Sequence, residues 1–475
     1  MPLTLVLVLT MLLTACSSGG ITIPPTRTPA PPSPTVAAAS PAPASPTVAA
    51  AKPTAAPAGA SPKPSQPAAA SASPAPKPAG NIVVPIQPVA APSGPSQLVG
   101  PIKIVSSLPR TGPAKNQTDS IVMAIKLALD EAGNKIDGAS VVYEDWDDST
   151  PERNAWDPGK AAENANKAAA DPDVMVYLGP FNSGAARVAI PILNQADLVV
   201  ISPSASYSGL TRPGRGEANE PEVYYPNGKR NFARVIPADE VQGTVAASWA
   251  KSLGANKVYV LHDNELYGRT LANAFAEAAG KLGMEIVGPP EGVDARAPDY
   301  FGIAGKVKSA SPDLVYYGGL TENSAGRVFK ELRASLGPSV RLMGPDGLYQ
   351  QTFVDAAGDA AEGVLVTFGG VAPSKLTGRG GEWYRAFKVR TGAEPEAYAA
   401  YAYEATKVAL DAIKRAGRKD RAAIRDAVFA TRDYEGILGR WSFDANGDTT
   451  LTTISGRESK GGKWDDAGAV TLQAP

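Results

Sequence analysis

The chain has 475 residues, with 46 Lys and Arg against 47 Asp and Glu and a formal charge of −1 at pH 7. This balance gives no electrostatic reason to expect nucleic acid as a partner. Cys16 is the only cysteine and His262 the only histidine, which rules out an intrachain disulfide and leaves a zinc, copper or iron site almost no nitrogen or sulfur ligand; only an oxygen-ligand ion such as calcium stays open, and no cofactor is expected.

Taken in chain order, the first feature is an apolar run over 3–13, shorter than the roughly 20 helical residues that a bilayer needs. It ends in Leu13-Thr14-Ala15-Cys16, which resembles the lipobox of bacterial lipoproteins. Residues 1–16 therefore read as a lipoprotein signal peptide. Cleavage would leave a diacylated Cys16 as the new N-terminus and hold the protein at the membrane on its extracytoplasmic side. No Lys or Arg precedes the run, so the usual basic segment is missing. Acylation would also consume the last thiol, which excludes redox chemistry.

Residues 17–99 are largely Pro, Ala, Ser and Thr. Such a segment cannot bury a core, and its prolines favour polyproline II; about 80 residues at roughly 3.1 Å each would reach on the order of 250 Å. It is expected to be a disordered stalk.

From Gly100 the composition changes, and the rest of the chain exceeds one typical domain. Short β-branched runs predict strands over 102–106, 140–144, 174–178, 198–202, 257–261, 314–317 and 363–367. Apolar periodicity predicts helices between them, including 119–131, 159–170, 184–194, 238–253, 268–282 and 396–416. Strands alternating with helices of this length imply an α/β fold with parallel sheets covered on both faces. Two doubly wound lobes would use the length. In such sheets ligands bind beyond the carboxyl ends of strands, beside helix N-termini. Three loops there are rich in Gly, Ser and Pro: LPRTGP at 108–113, LGPFNSGAAR at 178–187 and ISPSASYSGLT at 201–211. Ser183 or Ser204 would add a hydroxyl donor for a carboxylate, although Ser is also an ordinary N-cap.

The ordered series PRTGPA, YLGPFNSGAA, PILNQADLVVISPSAS, RVIPADEVQG, VYVLHDNELYG, DLVYYGGLTENSAG, MGPDGLYQQTFVDAAGDAAEGVLVTF and PEAYAAYAYEATKVALDAI resembles the branched-chain amino-acid-binding proteins of ABC transporters, which are type I periplasmic binding proteins. The resemblance implies two lobes joined by three crossovers, a ligand clamped between them by hinge closure, a monomer, and an ABC permease as partner. It assigns 100–237 with 370–448 to the first lobe and 238–369 with 449–475 to the second. Carried over by position, it gives the ligand carboxylate to Ser183, Ala205 and Ser206, the ammonium to Asp346 of MGPDG, a place near the ammonium or the hinge to Asp239, and a ligand-facing aromatic to Tyr267. The pattern departs at Gln117, where a covering tyrosine is frequent, and at Leu320, where a polar or aromatic residue is frequent. An amide at Gln117 would add hydrogen-bonding capacity at the pocket mouth, so the ligand need not have a leucine-like side chain. A sensory receptor lipoprotein of the same fold, a binder of an amide, urea or short organic acid, and a scaffold lipoprotein are the alternatives.

Remaining features are weaker. The acidic stretch YEDWDDST at 143–150 reads as a solvated loop capping a nearby helix, with Trp146 over the cleft as the alternative. Asp444 to Asp448 resembles the start of an EF-hand loop, but its Gly is misplaced and Ser455 stands where the bidentate Glu belongs, so a turn between strands fits better. There is no G-x-S-x-G, no G-x-x-x-x-G-K-[ST] and no G-x-G-x-x-G after the first strand. A serine triad would have to use His262, at a strand end. The chain is not expected to be an enzyme.

Overall fold

The computed structural model describes residues 98–472; the signal peptide, Cys16 and nearly all of the stalk lie outside the described residues. The first sheet is built around β1 (Ile102–Leu108), which pairs in parallel with β2 (Ala139–Asp147) on one side and β3 (Val174–Leu178) on the other. β4 (Val199–Ser202) and β5 (Phe232–Arg234) extend the sheet past β3, also in parallel. Every residue of β3 is buried, because helices on both faces leave no side for polar alternation. These helices are α1 (Lys115–Glu131), α2 (Pro158–Ala170) and α3 (Ser183–Gln195). The start of α2 is fixed locally: Asp157 accepts a hydrogen bond from Lys160 N, and Pro158 opens the first turn.

The second sheet repeats the scheme. After α4 (Asp239–Ser252) come β6 (Lys257–His262), α5 (Leu266–Lys281), α6 (Phe301–Ala310), β7 (Leu314–Gly318), α7 (Ala325–Leu336), β8 (Arg341–Gly344), α8 (Gln351–Ala357) and β9 (Leu365–Gly369). The strands run β6-β7-β8-β9 in parallel, and β10 (Ile454–Lys460) and β11 (Lys463–Leu472) close the edge antiparallel. Between β9 and β10 the chain returns to the first lobe as α9 (Arg379–Thr391), α10 (Ala399–Ala416) and α11 (Arg421–Phe429), where α10 packs on α1 and α11 against β4. The fold is α/β with two doubly wound lobes, as the alternation of runs implied, and each predicted strand and helix has its counterpart within a few residues.

Three passages cross between lobes: after β5, after β9 and before β10. Two are bolted together by charge. Arg234, fully buried at the end of β5, donates from Nε to Asp448 Oδ1 at 2.7 Å, and Arg212 Nε reaches Oδ2 at 2.6 Å. Burial opposes ionisation of Asp448, yet Arg234 and Arg212 hold its carboxyl below the usual range. The turn reading of this segment holds: Asp444 accepts from the amides of Asn446 and Asp448, and Asp448 is committed to arginine. At the second passage Gly370, with φ +97°, lies against the Tyr401 hydroxyl, 1.8 Å from where a Cβ would stand. Only glycine fits.

The acidic stretch is not the solvated, helix-capping loop expected. It forms the end of β2, where Glu144 pairs with Lys103 at 2.8 Å and Asp145 with Arg110 at 2.9 Å. Asp148 is wholly buried, and burial, reinforced by Asp147, pushes its pKa up to about 8. Trp146 is buried in the first-lobe core beneath Lys167, whose Nζ lies 3.8 Å from the ring centroid. Basic partners on neighbouring elements turned an apparent surface run into half-buried strand.

Candidate functional site

The carboxyl ends of both sheets face a cleft whose walls touch. Arg153 and Glu265 pair across it at 3.7 Å, Arg269 reaches Glu217 at 2.8 Å, and Tyr398, just before α10, donates to Asp346 Oδ2 at 2.6 Å. A pocket remains between the lobes. Its first-lobe wall is Trp156, Phe181, Asn182, Ser183, Gly184 and Ser204, with Tyr398 beside them; its second-lobe wall is Glu265, Tyr267, Leu320, Gly347 and Gln350.

Residues 181–184 arrive there because β3 ends in a Gly-Pro turn and α3 starts at Ser183. The first N–H groups of a helix have no intrahelical acceptor and sit at its positive dipole end. Ser183 Oγ accepts from Tyr207 N at 3.2 Å, which leaves its proton for a ligand. Ser204 instead spends its hydroxyl on Phe181 O at 2.9 Å. Gly184 lets Trp156 close on the helix, since a Cβ there would stand 2.4 Å from the indole.

On the opposite wall one carboxylate organises the site. Asp346, 1 % exposed, accepts from Gln242 Nε2 at 3.0 Å and from the Tyr267 hydroxyl on Oδ1, and from the Tyr398 hydroxyl on Oδ2. Both tyrosines line the pocket and Asp346 does not. Each phenol has its proton committed to the carboxylate, so its oxygen is left as an acceptor, and the Tyr267 oxygen already takes the Gly347 amide at 3.2 Å. Glu265 is the further acid of the lining; burial raises its pKa, opposed by Arg153 and Arg269.

Of the residues selected from sequence, Ser183 and Tyr267 line the pocket, as does the divergent Leu320. Asp346 stands one layer behind. Ala205 and Ser206 lie deeper in the first lobe: Ala205 N is taken by Ser202 Oγ at 2.8 Å, and Ser206 O accepts from Asp239 N at 2.9 Å. Asp239, at the first crossover, has its pKa pushed up to about 7 by burial, opposed by the Ser206 hydroxyl and Arg234. Gln117 is not at a pocket mouth; it is 1 % exposed and its Nε2 donates to Tyr349 O at 3.0 Å, tying α1 to the second lobe. Its amide N–H is spent on a backbone carbonyl of the other lobe, while its Oε1 is buried without a partner.

Trp156, Phe181, Asn182, Glu265, Gln350 and Tyr398 were not selected from sequence. All but Trp156 sit in the quoted motifs containing FNSGAA, VYVLHDNELYG, MGPDGLYQ or PEAYAAYAYEA. His262 ends β6 and accepts from Asn264 N at 3.1 Å, a local turn. Among the described residues no cluster of His, Cys, Asp and Glu suits a metal, and no helix is long and apolar enough to cross a membrane.

Comparison with known proteins agrees with this geometry. A family model described as periplasmic binding protein matches residues 101–462. The chain is 30 % identical over 348 residues to a Leu/Ile/Val-binding protein homologue of Brucella abortus, covering 72 % of this chain and 86 % of that one. Among solved structures, a leucine-binding protein of Thermotoga maritima superposes with TM-score 0.68 at 25 % identity, covering 79 % of this chain and 99 % of that one. A branched-chain amino acid transporter substrate-binding protein of Streptococcus pneumoniae, solved with isoleucine, gives TM-score 0.66 at 25 % identity, with 78 % and 99 % covered. With its two doubly wound lobes, three crossovers and interlobe pocket, the chain belongs to the type I periplasmic binding proteins, in the branched-chain amino-acid-binding family of ABC transporters.

Proposed function

We propose that the protein is the extracytoplasmic solute-binding component of an ABC importer, held at the membrane through a lipid on Cys16, which captures a zwitterionic amino acid or close relative between its lobes and delivers it to a permease. The observation that carries the reading is the polarity of the pocket. A helix N-terminus with the Ser183 hydroxyl faces one way, and two acceptor-locked tyrosines backed by Asp346 face the other. The first suits a carboxylate and the second an ammonium. Ligand bridging both walls favours the closed arrangement, which a permease can recognise. Asp346 then acts on the ammonium through Tyr267 and Tyr398 rather than by direct contact, while Asp239, Ser206 and Ala205 set the geometry of the hinge and the floor.

An organic acid without an ammonium is the second reading, favoured by the aromatic lining of Trp156, Phe181, Tyr267 and Tyr398. No Lys, Arg or His lines the pocket to receive such an anion.

The test uses the full chain freed of bound solute, titrated by calorimetry with a panel of amino acids and with the deaminated and decarboxylated analogues of the tightest. Losing either charged group is expected to weaken binding by about 2–5 kcal/mol. A deaminated acid that binds as tightly as its amino acid would sink the assignment.

A further inference from the structure

Two side-chain atoms in residues that line the pocket have no partner, and they are of opposite hydrogen-bonding sense. Asn182 and Gln350 are 5 % and 4 % exposed, and both border the interlobe space. Asn182 Nδ2 lies 3.4 Å from Glu322 Oε1 across the cleft. That contact sets the amide N–H, not its oxygen, toward Glu322, whose pKa burial pushes up to about 7 while the Asn182 hydrogen bond opposes the rise. Asn182 Oδ1 is thereby left buried with no donor. Gln350 Oε1 accepts from the Thr352 hydroxyl at 3.1 Å, and Gln350 Nε2 is left buried with no acceptor.

Buried polar atoms without partners are destabilising and rare. One acceptor and one donor in the lining of a ligand pocket are accounted for when the ligand supplies both partners. Trp156, Phe181 and Leu320 provide apolar surface around them, which suits the carbon stem of a side chain. A second carboxylate on the ligand would be buried there without a counter-charge. A second cation would find Glu265 already paired with Arg153 at 3.7 Å.

We propose that Asn182 and Gln350 determine specificity, and that the ligand is a zwitterion whose side chain bears a neutral group able to donate and to accept, such as an amide, ureido or hydroxyl group, in place of an aliphatic branch. The proposal rests on the zwitterion reading above. The two residues divide the side chain between them, with Asn182 accepting from its donor and Gln350 donating to its acceptor.

The test is calorimetric titration of the solute-free full chain with L-leucine, L-threonine, L-glutamine and L-citrulline. At least one of the three polar amino acids is expected to bind about tenfold or more tighter than L-leucine, the order of selectivity that a satisfied buried pair of polar groups confers. Asn182→Leu and Gln350→Met are each expected to bring that ratio toward one. Gln350→Glu keeps the side-chain length and exchanges the donor for an acceptor, so the same loss of preference in this variant, with its melting temperature held near the parent's, separates specificity from misfolding. L-Leucine binding tightest to the unaltered protein would overturn this proposal and leave the zwitterion reading standing. Failure of every amino acid in the panel to bind would overturn both.

Discussion

At the scale of the residue, two carboxylates show how burial and partners set a role. Asp346 is fully engaged by Gln242, Tyr267 and Tyr398, so Asp346→Ala strands two buried phenols while Gln242 keeps Thr367 O at 3.1 Å. We expect a stability loss of about 3 kcal/mol or more, because each unmade buried hydrogen bond costs about 1–3 kcal/mol. Affinity for a zwitterion should fall with it; denaturant titration and calorimetry on the same variant check the two separately. Asp148 behaves in the opposite way: burial, reinforced by Asp147, outweighs the Ser107 hydrogen bond and the charge of Arg110, and its pKa is pushed up to about 8. Unfolded, the carboxyl ionises near its ordinary value of 3.8. Between these values the folded chain keeps a proton that the unfolded chain has released, so stability from this group is full at low pH and is lost as pH rises toward 8. Asp148→Asn removes that dependence. Its melting temperature relative to the parent should therefore climb across this window, by up to about 1.4 kcal/mol per pH unit in stability; a constant difference would contradict the burial account.

At the scale of the element, α3 does most to shape the pocket. Its first turn supplies Ser183 and Gly184, and Trp156 folds over the glycine because nothing projects there. Gly184→Ala would place a methyl 2.4 Å from the indole. Helix propensity favours the change by about 1 kcal/mol, so α3 itself should persist while Trp156 is displaced. The expected result is ligand affinity reduced about tenfold or more with little change in melting temperature, read by calorimetry and tryptophan fluorescence. Unchanged affinity would show that Trp156 closes the pocket in some other way. β2 teaches a related lesson. Its run of Glu and Asp looked like solvated loop because a linear reading weighs charge without knowing that Lys103, Arg110 and Lys167 stand beside it.

At the scale of the whole molecule, the crossovers and the cleft contacts hold the lobes together in different ways. Arg234, Arg212 and Asp448 bind two crossovers into one buried knot, a firm pivot, whereas Arg153–Glu265 and Arg269–Glu217 are partly exposed pairs across the cleft. Exposed pairs contribute about 0–1 kcal/mol each. These ion pairs by themselves hold the closed arrangement weakly, and the buried hydrogen bonds Tyr398–Asp346 and Gln117–Tyr349 across the cleft add to them. Delivery to a permease also needs the lobes near a membrane, which we assign to Cys16 and the segment that follows it. Cys16→Ser should move the protein from the membrane fraction to the soluble one, as cell fractionation will report; retention on the membrane would remove the lipid anchor from the proposal.

The sequence by itself determined the alternation of strands and helices, hence two doubly wound lobes, because buried parallel strands must be apolar at consecutive positions and helices must repeat near every fourth residue. It also placed Ser183 at the cleft, since loops after strands carry the ligand contacts in such sheets, while Tyr267 was reached through the resemblance of its LYG motif to the family. Only the tertiary structure decided that Asp346 is screened by two tyrosines, that Gln117 closes on a backbone carbonyl, and that Asn182 and Gln350 are left with open valences in one pocket. Gln117 and the carbonyl it meets are 232 positions apart in the chain. Which hydrogen bonds a buried polar group has left to offer depends on partners that meet it only when the lobes close, and no local pattern of residues records that.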